Sequence, residues 1–314
     1  MALTSRMYAS AHDLEVMKDL LRAAKREYPF SGIHIGDLDW WVFYDTSGVP
    51  LQDKVRLWFE GEQLVAWTWS NLHRSDYDVF VHPAYRGTPQ QDVVLTQTID
   101  LLSERLRQQP RKDDRTPHIT GYANEDDTAQ IALLERLGFS RSENLINFSQ
   151  DIRGTLSAPA LPDGFTVLGR IRPEDAERRA LAHKDAFQPD SKMTPDYYRA
   201  FMKAPGYDPE LDIAIAAADG TIVAFAMSWI DAGNRLSVFE PVGTRYEFHR
   251  RGLGKAALLE GLRRLQLRGV ETALVSCDAD SPGNVIFYQS VGFRICNRVL
   301  AFRKVLESDP LDNL

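Results

Sequence analysis

The chain has 314 residues, is 44% hydrophobic and 26% charged, and carries a formal net charge of −7. That length suits two ordinary domains, and the negative charge opposes broad binding to a nucleic-acid backbone, which needs a basic footprint. No apolar run is long enough to span a bilayer, and the start "MALTSRMYASAHDLEVMKDLL" lacks an apolar signal core, so the expectation is a cytoplasmic protein with no membrane and no nucleic-acid partner.

In chain order, "DLEVMKDLLRAAKRE" is a helical segment, and "FEGEQLVAWTWS" (Phe59 to Ser70) reads as strand, tight turn, strand. "DYDVFVHPAYRG" is a strand and a loop. "QDVVLTQTIDLLSERL" places Leu95, Ile99, Leu102 and Leu106 on one helical face. "PHITGYAN" is a strand, and "DTAQIALLERLGF" is a helix stopped by Gly138. The Pro-rich stretch "RGTLSAPALPDGF" reads as a linker.

The order then repeats. "PEDAERRALAHKDAF" and "TPDYYRAFMKA" are helical, the second with a threonine–proline start signal. "AADGTIVAFAMS" (Ala217 to Ser228) matches the first hairpin, with Ile222, Val223, Ala224 and Phe225 on Leu64, Val65, Ala66 and Trp67. "RLSVFEPVGT" is a strand, and a helix carrying Leu258, Leu262 and Leu265 follows. "ETALVSCDAD" is a strand, and "SPGNVIFYQSVGF" is a helix ending at Gly292. The chain therefore reads as two copies of one α/β unit, expected at 1–152 and 165–314 with a linker at 153–164. Cys277 and Cys296 fall in apolar strand-like segments without metal-site spacing. They are expected to be buried thiols, with no metal.

The stretch "HRRGLGKAALLEGLRRL" (His249 to Leu265) is the most informative. A triphosphate-binding loop needs a glycine five residues before Gly254, where His249 stands, and Ser or Thr after Lys255, where Ala256 stands. Gly252, Gly254 and Ala257 match a dinucleotide fingerprint. The polar, basic approach through His249, Arg250 and Arg251 is unlike the apolar strand that design needs, and too little chain follows for the rest of the domain. The third design is a pyrophosphate held at a helix N-terminus, where free amides and the dipole favour an anion and glycines allow close approach. The strand "LSVFEPVGT" just before it has backbone groups suited to pairing with an amide-containing arm.

That combination resembles the GNAT family of acyl-CoA-dependent N-acyltransferases. The family's loop, Arg/Gln-x-x-Gly-x-Gly/Ala, is met by His249, Arg250, Arg251, Gly252, Leu253 and Gly254, with histidine as a departure at the first position. Its second signature is met by Asn284, Tyr288, Gly292 and Phe293. The resemblance covers about 160–305 well and the first copy in topology alone. There Pro89 stands for Gly252, Gln91 for Gly254, Gln130 for Asn284 and Leu134 for Tyr288, so the first copy is expected to have lost acyl-CoA binding and to serve as structure or as one wall of a substrate cleft. The implied architecture is α/β: two tandem GNAT-like domains, each a mixed, mostly antiparallel twisted sheet flanked by helices.

The resemblance also implies direct transfer of an acetyl group from acetyl-CoA to a primary amine, probed at the following residues. Tyr288 is the candidate general acid for the coenzyme A thiolate, and Glu240 the candidate base, directly or through water. Packing alone, or an ion-paired strand carboxylate, are the alternative roles. Val242, Gly243 and Thr244 are expected along the pantetheine arm, with Gly243 permitting a bulge. His249, Arg250, Arg251, Gly252, Leu253, Gly254 and Lys255 are expected at the pyrophosphate, and Asn284 at the arm or as a helix-start residue. Phe187, Tyr197, Tyr198 and Met202 are candidate cleft residues, with core packing as the alternative. The expected partner is a small-molecule amine, and the expected state is monomer or homodimer. The tandem layout with one intact copy is also similar to that of the mycothiol synthases. Aminoglycoside-type acetylation, a protein-lysine acetyltransferase and a non-catalytic acyl-CoA-binding module remain open.

Overall fold

A computed structural model of the chain describes residues 3–28, 32–45, 47–108 and 117–306. The extreme ends of the two expected units, 1–2 and 307–314, lie outside the described residues. The first half runs β1 (Thr4–Met7), α1 (Ala11–Lys25), α2 (Ile35–Phe43), β2 (Val55–Glu60), β3 (Gln63–Asn71), β4 (Asp76–Val81), α3 (Pro89–Gln108), β5 (His118–Asn124), α4 (Thr128–Arg136) and β6 (Ser140–Asp151). The second runs β7 (Phe165–Val167), α5 (Ala176–Ala186), α6 (Pro195–Phe201), β8 (Asp212–Ala217), β9 (Ile222–Asp231), β10 (Leu236–Thr244), α7 (Leu253–Leu267), β11 (Thr272–Asp278), α8 (Pro282–Val291) and β12 (Arg294–Val305).

Local chemistry explains most of these boundaries. α1 opens where the Asp13 carboxylate accepts the Ala9 backbone N–H at 2.7 Å, and it buries Leu14, Met17, Leu21 and Ala24 at helical spacing. The β8–β9 hairpin turns at Gly220, with φ of 85°. α4 and α8 are followed by Gly138 and Gly292 with φ of 84° and 117°, the left-handed terminations expected from the two Gly-Phe pairs. No helix among the described residues is long and apolar enough to cross a membrane.

The twelve strands of the described residues form one sheet, in the order β1-β2-β3-β4-β5-β12-β6-β11-β10-β9-β8-β7. The two halves exchange their last strands. β12 pairs antiparallel with β5 (Leu300 opposite Ala123), and β6 pairs antiparallel with β11 (Phe148 opposite Val275). The sheet is mixed and mostly antiparallel, as expected, but the two expected sheets are continuous. Each half keeps a parallel pair that separates quickly. β10 and β11 are paired only from Leu236 to Val238, although β10 stays on β9 as far as Thr244. β4 and β5 share the single pair Asp76–Thr120. Each splay opens a slot in the sheet.

Two features hold the elements around these slots. Arg179 and Asp212 form a fully buried ion pair at 3.0 Å, with the guanidinium 3.7 Å from the centre of the Phe225 ring. α2 lies directly on β9, because Gly36 has no side chain: a Cβ there would sit 2.3 Å from the Trp229 Cβ. The Trp229 indole N–H donates to the Glu240 carbonyl at 2.8 Å, so this close approach ties α2 of the first half to β10 of the second.

Candidate active site

The larger slot is a cavity of about 870 Å³ between β10, β11 and the starts of α7 and α8. β10 carries a bulge between Phe239 and Val242, next to the Gly243 that was expected to permit one. Past Val238 its β11-facing edge has no strand partner among the described residues, so the backbone N–H groups of Val242 and Thr244 are available to a ligand lying in the slot. Gly243 is required for packing, since a Cβ would lie 2.5 Å from Phe225 Cζ.

The start of α7 closes one end. Gly252 is its N-cap, with φ of 78° and no side-chain cap, which leaves the first-turn amides free. A Cβ at Gly252 meets open space, whereas one at Gly254 would lie 2.8 Å from Thr244 Oγ1. Arg250 also has positive φ, 61°. His249 is tied through Nε2 to the Thr244 carbonyl at 2.8 Å, and the Lys255 ammonium donates to the Ser290 carbonyl at 2.7 Å. Val242, Gly243, Thr244, His249, Arg250, Gly252, Leu253, Gly254, Lys255 and Asn284 all line the cavity, together with Glu240 and Tyr288. Arg251 does not: its guanidinium lies over the Phe248 ring at 5.1 Å.

The two candidate catalytic groups titrate unusually. Burial, followed by the nearby Cys277 and Glu240, raises the Tyr288 phenol, so it stays protonated across neutral pH. Its ring is held against Phe148, centroids 5.5 Å apart. Glu240 is raised well above the usual carboxyl range, first by burial and then by the carboxyl of Asp37, with Asp78 adding and Arg74 opposing.

Beyond Glu240 lies a second cavity, of about 330 Å³, in the splay between β4 and β5. Asp37, Asn147, Glu240 and Ser276 line both cavities, so the two adjoin. Arg74, Asp78, Tyr122 and Asn124 line the second. Asp78 is pushed up to about 7, by burial first and by Asp76 next, against Arg74. The first half's own loop is filled: the Gly87 N–H donates to Gln91 Oε1 at 2.6 Å, and Gln91 Nε2 donates to Gln130 Oε1 at 3.1 Å. These glutamines stand where the second half has Gly254 and Asn284.

Asp37, Asp78, Asn147 and Ser276 were not anticipated. A pair of acidic residues in the otherwise apolar strand "DYDVFV" was a usable signal for Asp78; Asp37 had none beyond its helix-start position. Of the candidate cleft residues, Phe187 lines the larger cavity. Tyr198 is core: its hydroxyl donates to Asp212 and satisfies the buried ion pair. Met202 packs in the same cluster, and Tyr197 stands edge-on to Tyr44, ring centres 6.3 Å apart. Cys277 and Cys296 are free thiols, half-buried and lining the cavity, where they had been expected inside the core. Among the described residues no cluster of His, Cys, Asp and Glu is arranged to hold a metal.

Residues 178–293 match the Acetyltransferase (GNAT) family. A mycothiol acetyltransferase of Streptomyces avermitilis is 27% identical over 230 residues, covering 72% of this chain and 70% of that protein. One from Frankia casuarinae is 30% identical over 232 residues, covering 69% and 64%. In structure, the chain resembles a tandem GNAT protein from the clavulanic acid biosynthesis pathway, with TM-score 0.69, 14% identity and coverage of 98% and 100%. A GCN5-related N-acetyltransferase from Sphaerobacter thermophilus superposes with TM-score 0.68 and 20% identity over 97% and 96%.

Proposed function

We propose that this chain, an N-acetyltransferase belonging to the GNAT superfamily as a tandem of two such domains, binds acetyl-CoA in the slot of its second half and acetylates a small, polar, cationic amine admitted through the slot of its first. The observation that carries this reading is the meeting of the two slots at Glu240, with Tyr288 on the wall of the second half's slot.

The residues fit such a cosubstrate. The open α7 N-terminus and the left-handed Gly252 suit a pyrophosphate, and the unpaired edge of β10 suits an amide-bearing arm. An arm paired with β10 brings its thioester end toward the bulge at Val242. An N–H from that edge then stabilises negative charge developing on the acetyl oxygen. The amine reaches the thioester from the second cavity and loses a proton to Glu240 in its carboxylate form. As the C–N bond forms and the C–S bond breaks, the Tyr288 hydroxyl donates its proton to the departing sulfur. Holding both reactants in adjoining cavities supplies much of the acceleration. The second cavity is lined by the carboxyls of Asp37, Asp78, Asp127 and Glu240 against the guanidiniums of Arg74 and Arg86, an excess of acids that favours a cation, and its size favours a small molecule over a protein tail. The glutamines in the first half's loop support one acetyl-CoA site per chain. The relatives named as mycothiol acetyltransferases support a mycothiol-type acceptor as a narrower reading.

The test is calorimetric titration of acetyl-CoA into the wild type and into Gly252→Pro, which copies the first half's loop, followed by a screen of primary amines. One site per chain, lost in the variant, together with amine-dependent thiol release supports the proposal. Two sites, no binding, or no turnover of any amine overturns it in turn for the first half, the cosubstrate and the activity.

A further inference from the structure

We propose that Asp37, contributed by the first half, is a positioning residue for the reaction: its carboxyl shares a single proton with that of Glu240, so that the two act as one base whose protonated form is this shared-proton pair. This rests on the functional reading above for its catalytic meaning, but the proton pair itself does not.

The juxtaposition is built from the backbone outward. Gly36 lets the start of α2 press on Trp229, and Trp229 holds the Glu240 carbonyl at 2.8 Å. The next residue, Asp37, is thereby set against the Glu240 side chain. Asp37 Oδ2 is committed to the His34 backbone N–H at 2.6 Å, which fixes the carboxyl plane. Its Oδ1 is buried with no donor among the described residues. The Asp37 and Glu240 carboxyls line the same two cavities, and after burial each is the leading influence on the other's titration. Two ionised carboxylates only accept and repel, so two that adjoin in a buried site hold one proton between them. Such a pair titrates in two steps that belong to the pair and not to either residue.

The surroundings do not remove the need for that proton. The cations facing the pair are Lys25 at the end of α1, itself brought down to about 8 chiefly by burial, and Arg74 ahead of β4. Arg74 is bound to Asp76 at 2.8 Å. The anions are Asp78 on β4 and Asp231, which acts through Lys25. His34 is held neutral by burial, and Tyr288 and Cys277 on the far wall keep their protons, both raised first by burial. Glu240 and Asp37 are both shifted upward, burial leading in each case.

The chemical consequence is a base held close to neutral pH. An isolated exposed glutamate is too weak a base to take a proton from an ammonium group. A carboxyl pair gives up its last proton only at higher pH, and the doubly ionised pair that results is a correspondingly stronger base, which the ammonium's proton returns to the shared-proton state. An arriving ammonium also supplies the positive charge that the cluster lacks, so binding the cation and activating it are coupled.

The test begins without any ligand. A carboxyl whose pKa is higher in the folded than in the unfolded chain contributes stability below its unfolded pKa and loses it as pH rises through the folded value. Full-length wild type and Asp37→Asn are melted in a scanning calorimeter from pH 5.5 to 9. The asparagine keeps an oxygen for the His34 N–H and removes the charge. The melting temperature of the variant should gain on the wild type by a few degrees as pH rises. Glu240→Gln removes the other partner and should show the same trend, which keeps the test open if Asp37→Asn folds poorly. A difference that is constant with pH in both variants means that Asp37 is only a helix cap, and overturns the proposal. With any amine that is turned over, the acid limb of kcat/KM should move at least one pH unit lower in Asp37→Asn, with acetyl-CoA affinity unchanged; an unmoved limb also overturns it. If the wild type turns over no amine, the functional reading falls while the melting curves still decide the proton pair.

Discussion

Replacing Tyr288 by phenylalanine removes one hydroxyl and leaves the ring that packs on Phe148, Phe287 and Phe293. Stability should change by no more than about 1 kcal/mol, since no cavity forms and no partner group is stranded. If the hydroxyl protonates the departing sulfur, kcat should fall by about 10²- to 10⁴-fold, the usual contribution of a positioned acid. That corresponds to roughly 3–5 kcal/mol of transition-state stabilisation. Thiol release at saturating acetyl-CoA measures kcat, and calorimetry measures cosubstrate affinity, which should hold. Because burial keeps the phenol protonated through neutral pH, its loss should leave the acid limb of the pH profile in place, unlike a change at Asp37. A drop smaller than tenfold with intact affinity would show that the thiolate leaves unassisted. An equal loss of affinity and turnover would make Tyr288 a wall of the cavity and nothing more.

Asp212→Ala strands a fully buried Arg179, two of whose nitrogens already lack partners; it should cost about 3–5 kcal/mol by chemical denaturation, and a loss below about 1 kcal/mol would contradict the described ion pair. His34 and His183 are both brought down to about 3, chiefly by burial. The unfolded chain protonates them near pH 6.5, so stability should be complete above that pH and fall below it by up to about 1.4 kcal/mol per pH unit for each histidine; acid unfolding curves that His183→Gln leaves equally steep would refute this. A fragment starting at residue 153 loses β6 from between β11 and β12. It should fail to bind acetyl-CoA and be poorly soluble, because Val275 and Phe293 lose the buried Ile146 and Phe148 of their shared core; a soluble fragment with full-length affinity would show that the exchange is dispensable.

The sequence made the hairpins and the α7 and α8 helices legible because each carries local chemistry: turn glycines at positive φ, leucines at helical spacing, and a glycine stop. The same is true of the loop from His249 to Lys255, all but one of whose residues line the cavity. α2 escaped notice for a physical reason. Its sequence "IGDLDWWVF" meets protein on most sides, with Ile35, Gly36, Leu38, Asp39 and Trp40 buried, so it has no polar face to mark the helical period. Asp37 and its relation to Glu240 depend on Gly36 touching Trp229, almost 200 positions away, and nothing local encodes that contact. The strand exchange is hidden likewise, because β6 and β12 carry the same kind of alternation whichever sheet they join.

The exchange changes what the duplication means. In a pair of separate units, a first copy with a blocked loop would be a passive scaffold. Here Gln91 and Gln130 block only the loop end of its slot, and the rest of that slot opens onto Glu240. β6 places Leu145, Asn147 and Phe148 in the wall of the second copy's cavity, and α2 brings Asp37 to its base. The polar groups that crowd this junction include Asn124 Oδ1, which has no donor among the described residues and is costly unless something donates to it. On the function proposed above, the donors of a cationic amine answer them, and the first copy keeps a slot whose reactant has changed.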